Sequence, residues 1–147
     1  MLKAVIDTNL LIDGSVDDYN YGNRIIDAVL DGRIEAYANR ATINENKLLS
    51  HKKISDEAYL QKLEDFFKKI KSVVPQEKLD VVEDKEDNKL VESAVAASAD
   101  YLISSDNHLL KLGSYGKTRM VNPSQFVAIM EEEIGEGWGK WVDEFMK

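Results

Sequence analysis

The sequence predicts an α/β domain built around a central, mostly parallel sheet of five strands. Short apolar runs, typical of buried strands, alternate along the chain with longer segments in which apolar residues recur at helical spacing. The chain has 147 residues, the usual size of one domain, and its 44% hydrophobic share is enough to bury a core. No internal repeat or Pro/Gly-rich linker divides it.

The predicted strands are short apolar runs bounded by polar or turn-forming residues. They cover residues 3–6, 34–38, 79–82, 101–104 and 120–121. Because helices separate consecutive strands, neighbouring strands are expected to run parallel, with their carboxyl ends at one edge of the sheet.

The predicted helices cover residues 20–30, 41–49, 55–70, 87–97 and 123–130. Gly32 is a plausible stop for the first, and Ser55 can cap the third. Pro123 suits the first position of the last helix. In the second helix we expect Leu48 and Leu49 to face the core.

Several classes of protein are disfavoured by what the chain lacks. No apolar run approaches the ~20 residues needed to span a bilayer, and the strand-like start predicts no signal peptide. The absence of cysteine excludes disulfides and thiolate chemistry, and it fits the reducing cytoplasm. There is no Walker loop, GxGxxG or GxSxG motif, which disfavours nucleotide cofactors and serine hydrolysis.

The formal charge of −8 argues against a protein that binds nucleic acid by simple phosphate neutralisation. It is compatible with a group of carboxylates that holds cations.

Four carboxylates stand out by position. Asp7 directly follows a predicted strand, Asp106 follows another, and Asp87 begins the helix after a third. Glu45 lies on the helix after the second strand. Sites in parallel sheets form at such strand ends. Two unit charges ~4 Å apart repel by about 4 kcal/mol at an effective dielectric of 20. A converging set would therefore trap protons or bind Mg²⁺ or Mn²⁺, which could activate water and stabilise a phosphodiester in transit.

A structural interpretation stays open for each of these residues. Asp7, Asp87 and Asp106 each precede a predicted helix, and aspartate is among the best N-caps. Glu45 could be a solvated helix position.

The stretches VIDTNLLI and EDNKLVESAVAASADYLISSDNHLL resemble the PIN domain, a family of metal-dependent ribonucleases. Within that family they are most similar to the VapC-like toxin components of toxin–antitoxin pairs. The resemblance covers residue 2 to about residue 126. It implies a three-layer α/β/α domain over residues 1–132 that cleaves RNA with Mg²⁺ or Mn²⁺. It also suggests an antitoxin protein and a second copy of the chain as partners.

The resemblance assigns roles residue by residue. Asp7, Asp87 and Asp106 match the metal-binding carboxylates. Ser104 matches the small hydroxyl residue that hydrogen-bonds within the site, and Asn9 matches an orienting group.

Two positions depart from the family pattern. Counting back from Leu49, the acidic position falls on Asn44, and a one-residue shift of the helix start restores Glu45 as the fourth catalytic acid. Many relatives carry another acid where this chain has His108, so we expect one firmly bound ion. His108 itself is expected at the surface or at a helix start. These departures also motivate an alternative function, a weakly active or inactive PIN-like module that binds RNA or protein.

The tail, residues 133–147, lies outside the resemblance. It carries one apolar helical stripe, formed by Trp138, Trp141, Val142 and Phe145. The stripe could pack on the domain, or it could form a dimer contact or an antitoxin-binding surface.

Overall fold

The structure is a computed structural model that describes residues 1–134. The described part contains six strands: β1 (Leu2–Ile6), β2 (Ile34–Asn39), β3 (Lys71–Val73), β4 (Tyr101–Ile103), β5 (Ser114–Tyr115) and β6 (Thr118–Val121). It contains seven helices: α1 (Asn9–Ile12), α2 (Val16–Leu30), α3 (Arg40–Lys53), α4 (Glu57–Lys69), α5 (Lys85–Ala97), α6 (Asn107–Leu112) and α7 (Pro123–Ile134). None of these helices is long and apolar enough to cross a membrane.

The strands form one sheet in the order β3-β2-β1-β4-β6-β5. All neighbouring pairs are parallel except β5 and β6, which form an antiparallel hairpin. Gly116 has a φ of +57° in the turn of that hairpin, a conformation that glycine adopts without strain. The predicted α/β class and mostly parallel sheet are therefore confirmed, but the sheet has six strands rather than five.

The prediction of a strand at residues 79–82 is wrong. The third strand is β3, which pairs in parallel with β2 and lies at the edge of the sheet. In the 79–82 segment, side chains of α5 satisfy the backbone donors instead of a neighbouring strand. Asn88 Oδ1 accepts from the N–H of Val81 at 2.8 Å, and a carboxylate oxygen of Glu92 accepts from the N–H of Leu79 at 3.0 Å. Such local side-chain bonds compete with strand pairing.

Helix starts also differ from the predicted ones. Ser15 caps α2, so this helix begins four residues before the predicted start. Asp56 caps α4, in place of Ser55. Asp84 caps α5 through the N–H of Glu86. Asp87 is therefore the third residue of its helix and does not cap it.

The core has one apolar cluster on each face of the sheet. Along β1, Ala4 and Ile6 belong to the cluster that includes α2, α4 and α7. Val5, which points to the opposite face, belongs to the cluster that includes α5 and α6. Because side chains alternate between the faces of a strand, this division gives the three layers of an α/β/α domain.

The topology reverses between β1 and β4. From β1 the chain first adds β2 and β3 on one side, and then crosses to add β4, β6 and β5 on the other. The N–H of Asp7 donates to the carbonyl of Ile103 at 2.8 Å and joins the two carboxyl ends. Ligands of open parallel sheets bind in the crevice at such a reversal.

Leu48 does not face the core as expected. It is 67% exposed, whereas Leu49 is half-buried. A helix turns ~100° per residue, so Leu48 and Leu49 point in different directions, and the orientation of α3 buries only part of Leu49. The tail residues Trp138, Trp141, Val142 and Phe145 lie outside the described residues. The proposed domain boundary after residue 132 stays a prediction.

Candidate metal centre

Asp7 lies at the end of the central strand and is 9% exposed. Its Oδ2 accepts a hydrogen bond from the Ser104 hydroxyl at 2.9 Å, and its Oδ1 accepts from the N–H of Asn9 at 3.2 Å. Burial raises the pKa of this carboxyl above its ordinary value, and these hydrogen bonds partly offset the rise. Asp7 precedes α1 but is not its N-cap, because Thr8 occupies that position.

Ser104 links two of the predicted acids. Its buried hydroxyl donates to Asp7 and accepts from the N–H of Asp106 at 3.0 Å. Asn9 contributes to the same region through its backbone N–H, and its side chain is exposed.

Asp87 is the most unusual carboxylate of the described residues. It is 7% exposed, and its Oδ2 is buried without a hydrogen-bond partner in the described part of the chain. Burial raises its pKa to about 6, and the negative charges of Asp106, Asp84 and Asp7 contribute to the rise. A buried polar atom without a partner is rare in proteins, and an unseen cation or water is a common explanation.

Asp106 is the N-cap of α6, and its Oδ1 accepts from the N–H of His108 at 2.7 Å. Asp106 therefore caps a helix, as the structural interpretation predicts, but it also has other neighbours. One ligand atom each from Asp87, Asp106 and His108 lie within 4.8 Å of one another. The structure thus brings His108 into the cluster.

An open cavity of about 230 Å³ lies beside these residues. It is lined by acidic, polar and apolar side chains: Asp7, Thr8, Asn9, Thr42, Glu45, Asn46, Leu49, Glu86, Asp87 and Leu90. Asp87 therefore belongs both to this cavity and to the group with Asp106 and His108. It joins the two halves of the candidate centre.

Helix α3 turns Glu45 toward the cavity and Asn44 away from it. Glu45 and Leu49 are four residues apart, share one helix face and line the cavity together. Asn44 is exposed and stands four residues from Leu48, on the exposed face. Of the two residues left open by the sequence, Glu45 is the one placed near Asp7 and Asp87.

Several polar groups of the centre could not be identified from the sequence. Asp84, the cap of α5, is close enough for its charge to raise the pKa of both Asp7 and Asp87. Glu86 lines the cavity. The acid-rich run around residues 83–87 indicates that acids lie near the start of α5. Which of them face the centre depends on the residue at which that helix begins. Asn46 is buried, and only the orientation of α3 identifies it as part of the cavity wall.

The donors present fit a divalent cation. They are mainly carboxylate oxygens, which suit hard ions such as Mg²⁺ and Mn²⁺. A bound cation would neutralise the mutual repulsion of these groups and give the orphaned oxygen of Asp87 a partner. The same residues are therefore compatible with binding a divalent cation.

We predict that Ser104→Ala weakens this centre. The substitution removes the hydrogen bond that orients Asp7, so we expect divalent-metal affinity to fall about 10- to 100-fold. Loss of the buried hydroxyl should also destabilise the fold by about 1–3 kcal/mol. Calorimetric metal titration and thermal melting measure the two effects. The control is Ser105→Ala, because Ser105 is exposed and donates to Asp18 instead. Equal affinities in the two variants would contradict the orienting role of Ser104.

Comparison with known proteins places the chain in a family. A protein-family model described as PIN domain matches residues 3–108. An uncharacterized protein of Methanocaldococcus jannaschii is 24% identical over an alignment that covers 96% of this chain and 94% of the relative. No solved structure matches the chain significantly.

The matched region includes β1, β4 and all the acids described above. PIN domains are generally nucleases that use divalent metal ions, and the acidic group around Asp87 is compatible with metal binding. The family model spans well over half of the chain, from the first strand to His108. The chain therefore belongs to the PIN domain family.

Proposed function

We propose that the protein is an endoribonuclease that hydrolyses RNA phosphodiester bonds with Mg²⁺ or Mn²⁺. The observation that carries this proposal is the buried Oδ2 of Asp87, which has no hydrogen-bond partner among residues 1–134 and lies where the predicted acids approach one another. Membership in a family of nucleases supports the reaction class.

In this proposal Asp7, Asp87 and Asp106 hold the cation. The chemistry supplied by a bound divalent ion is polarisation of the phosphate and acidification of water. Ser104 keeps Asp7 in one orientation. Glu45 is exposed at the cavity wall, where its carboxylate can accept a proton from an attacking water.

Positive groups beside the centre support an RNA substrate. A groove next to the cavity shares Thr42 and Glu45 with it and is also lined by Arg40 and Lys89. The N-terminus of α3 adjoins the same groove. The groove is also lined by Glu92, and Lys89 pairs with Glu86 at 3.0 Å. The support for an anionic substrate therefore comes from Arg40 and the N-terminus of α3.

We further propose that the nuclease is the toxin of a toxin–antitoxin pair and acts on cytoplasmic RNA. The support is the similarity of VIDTNLLI and the 86–110 region to the VapC-like branch. An antitoxin bound to the toxin would restrain cleavage, and a second copy of the chain is the other partner that the resemblance suggests. Growth arrest on expression of the wild type but not of Asp7→Asn would support the toxin role, and growth in both would contradict it.

The nuclease proposal is tested with Asp106→Asn. We expect wild-type protein to bind Mn²⁺ or Mg²⁺ saturably and to cleave RNA only with the metal. In Asp106→Asn, cleavage should fall more than about 100-fold, because even groups that only orient ligands contribute about 10- to 100-fold. The control is Asp65→Asn, an exposed acid on α4. Calorimetry and gel-based cleavage of labelled RNA measure both properties.

The alternative function predicts a different result. A catalytically inactive binding module would retain tight RNA or protein binding, bind metal at most weakly, and leave RNA intact at millimolar Mn²⁺. That outcome would reject the nuclease and leave the fold assignment unchanged.

A further inference from the structure

We propose that His108 is a nitrogen ligand of the metal centre and that it makes the centre prefer first-row transition ions, such as Mn²⁺ and Co²⁺, over Mg²⁺. The inference rests on the proposed metal-dependent function and goes further, since it specifies a ligand and a selectivity. A purely oxygen-lined centre would show this preference more weakly.

The first support is the position of the imidazole. A ring nitrogen of His108 lies within 4.8 Å of carboxylate oxygens of both Asp87 and Asp106. These atoms come from α5, from the N-cap of α6 and from the first turn of α6. The N–H of His108 donates to Asp106 Oδ1, which fixes the start of α6 and keeps the two residues together. Nδ1 of the ring is 3.5 Å from the same oxygen.

The second support is independent of the histidine. Asp87 is more than nine-tenths buried, and its Oδ2 has no hydrogen-bond partner among the described residues. Burial of an unpaired carboxylate oxygen is costly, so the fold leaves one coordination partner to be supplied from outside. A cation between Asp87, Asp106 and His108 would be that partner.

The chemistry of the donors gives the selectivity. Mg²⁺ is a hard ion that requires near-octahedral oxygen coordination and gives up its water reluctantly. Imidazole nitrogen is a softer donor, and its affinity rises along the series from Mn²⁺ to Co²⁺, Ni²⁺ and Cu²⁺. A neutral imidazole also adds no negative charge, so it contributes little to holding Mg²⁺ by electrostatics.

The experiment compares Mg²⁺, Mn²⁺ and Co²⁺ binding by calorimetry in the full chain. His108→Ala should lower the affinity for Co²⁺ and Mn²⁺ about tenfold or more and change that for Mg²⁺ less than about twofold. His108→Asp should shift the preference toward Mg²⁺. The absorption spectrum of bound Co²⁺ should change in His108→Ala. The matched control is His51→Ala, because His51 lies on α3 and pairs with Glu64 at 2.8 Å.

The outcomes separate this inference from the proposed function. If Asp87→Asn abolishes binding of all three ions while His108→Ala leaves their relative affinities unchanged, His108 is only a surface partner of Asp106. That result overturns the inference and leaves the nuclease proposal standing. If the wild type binds none of the ions at millimolar concentration, both fail. Melting curves establish that each variant is folded.

Discussion

Asp87→Asn is expected to abolish metal-dependent RNA cleavage while making the metal-free protein more stable at pH 7. Most substitutions of buried residues reduce stability. Here the wild-type carboxylate is buried, its Oδ2 has no partner within the described part of the chain, and it faces other negative charges. Asparagine has nearly the same shape without the charge, and its amide can donate to the neighbouring carboxylates. Asp87 is therefore needed for the proposed activity, but the metal-free fold should be more stable with asparagine at this position.

The dependence on pH follows from the pKa of Asp87. Burial raises that pKa to about 6 in the folded protein, whereas an unfolded aspartate has a pKa of about 3.9. The folded state therefore binds the proton more tightly. The stability contributed by protonated Asp87 is fully present below pH ~4 and is lost as the pH rises through about 6. Asparagine does not titrate, so the variant should lack this part of the pH dependence.

The size of the effect is limited by solvent. The difference between a pKa of about 6 in the folded protein and about 3.9 in the unfolded protein corresponds to about 3 kcal/mol of folding free energy. The cluster opens to solvent on its cavity side, which screens the repulsion, so we expect Asp87→Asn to gain about 1–2 kcal/mol at pH 7. Below pH 4 the two proteins should differ little.

Metal should reverse the order of stability. A ligand that binds only the folded state stabilises it by RT ln(1 + [L]/Kd), which is about 2.7 kcal/mol at a hundredfold excess over Kd. Wild type should gain this stabilisation and Asp87→Asn should not. Urea unfolding at pH 4, 5, 6 and 7, with and without Mn²⁺, measures the crossover, and cleavage assays run in parallel. Asp65→Asn, at an exposed site, should follow the wild type. A variant that loses activity and metal-free stability together would instead identify Asp87 as a structural residue.

The sequence was sufficient to place Asp7 and Asp106. Both follow apolar runs that form buried parallel strands, and the carboxyl ends of such strands lie at one edge of a sheet. The signal is local at these two positions, where an apolar run followed by an acid is a strand end, but the same pattern at residues 79–82, followed by Glu83, is not a strand. The parallel sheet could be predicted from the alternation of strands and helices. The helix α5 could be predicted from its own acids and apolar residues, and the family model matches this region.

The remaining features depend on contacts between distant segments. β3 is an exposed edge strand with the sequence KSV, so it lacks the apolar pattern of a core strand. The segment 79–82 has that pattern because its apolar side chains pack against α5. The orientation of α3, which selects Glu45 over Asn44, depends on how the helix packs. The approach of His108 to Asp87 requires α5 and α6 to meet, which no spacing along the chain reveals.

Asn88 is expected to be the residue beside the centre whose loss damages the fold most. It is 5% exposed, and its amide makes four hydrogen bonds to the backbone of the segment before α5. Oδ1 accepts from the N–H groups of Val81 and Val82 at 2.8 and 3.1 Å. Nδ2 donates to the carbonyls of Val82 and Asp84 at 2.8 and 3.2 Å. One side chain thus replaces the strand pairing that this segment lacks.

Asn88→Ala removes all four bonds. At about 1 kcal/mol of net stabilisation for each, and with partial replacement by water at the surface, we expect the free energy of unfolding to fall by about 2–4 kcal/mol. Asn88→Asp keeps the two acceptor bonds, loses the two donors and adds a negative charge beside Asp87. It should therefore be at least as damaging at pH 7 and recover partly when the pH is lowered.

Loss of Asn88 should also affect the metal centre, which distinguishes its role from that of an ordinary core residue. Asp84 caps α5, and its charge raises the pKa of both Asp7 and Asp87, so a displaced segment would also change the electrostatics of the cluster. Asn88→Ala should accordingly increase hydrogen exchange at the amides of Val81 and Val82 and weaken metal binding about tenfold. Asn20→Ala, an exposed asparagine on α2, should change none of these properties. If the two amides stay protected in Asn88→Ala, the apolar contacts of Leu79, Val81 and Val82 hold the segment by themselves, and the support for the centre comes from α5 alone.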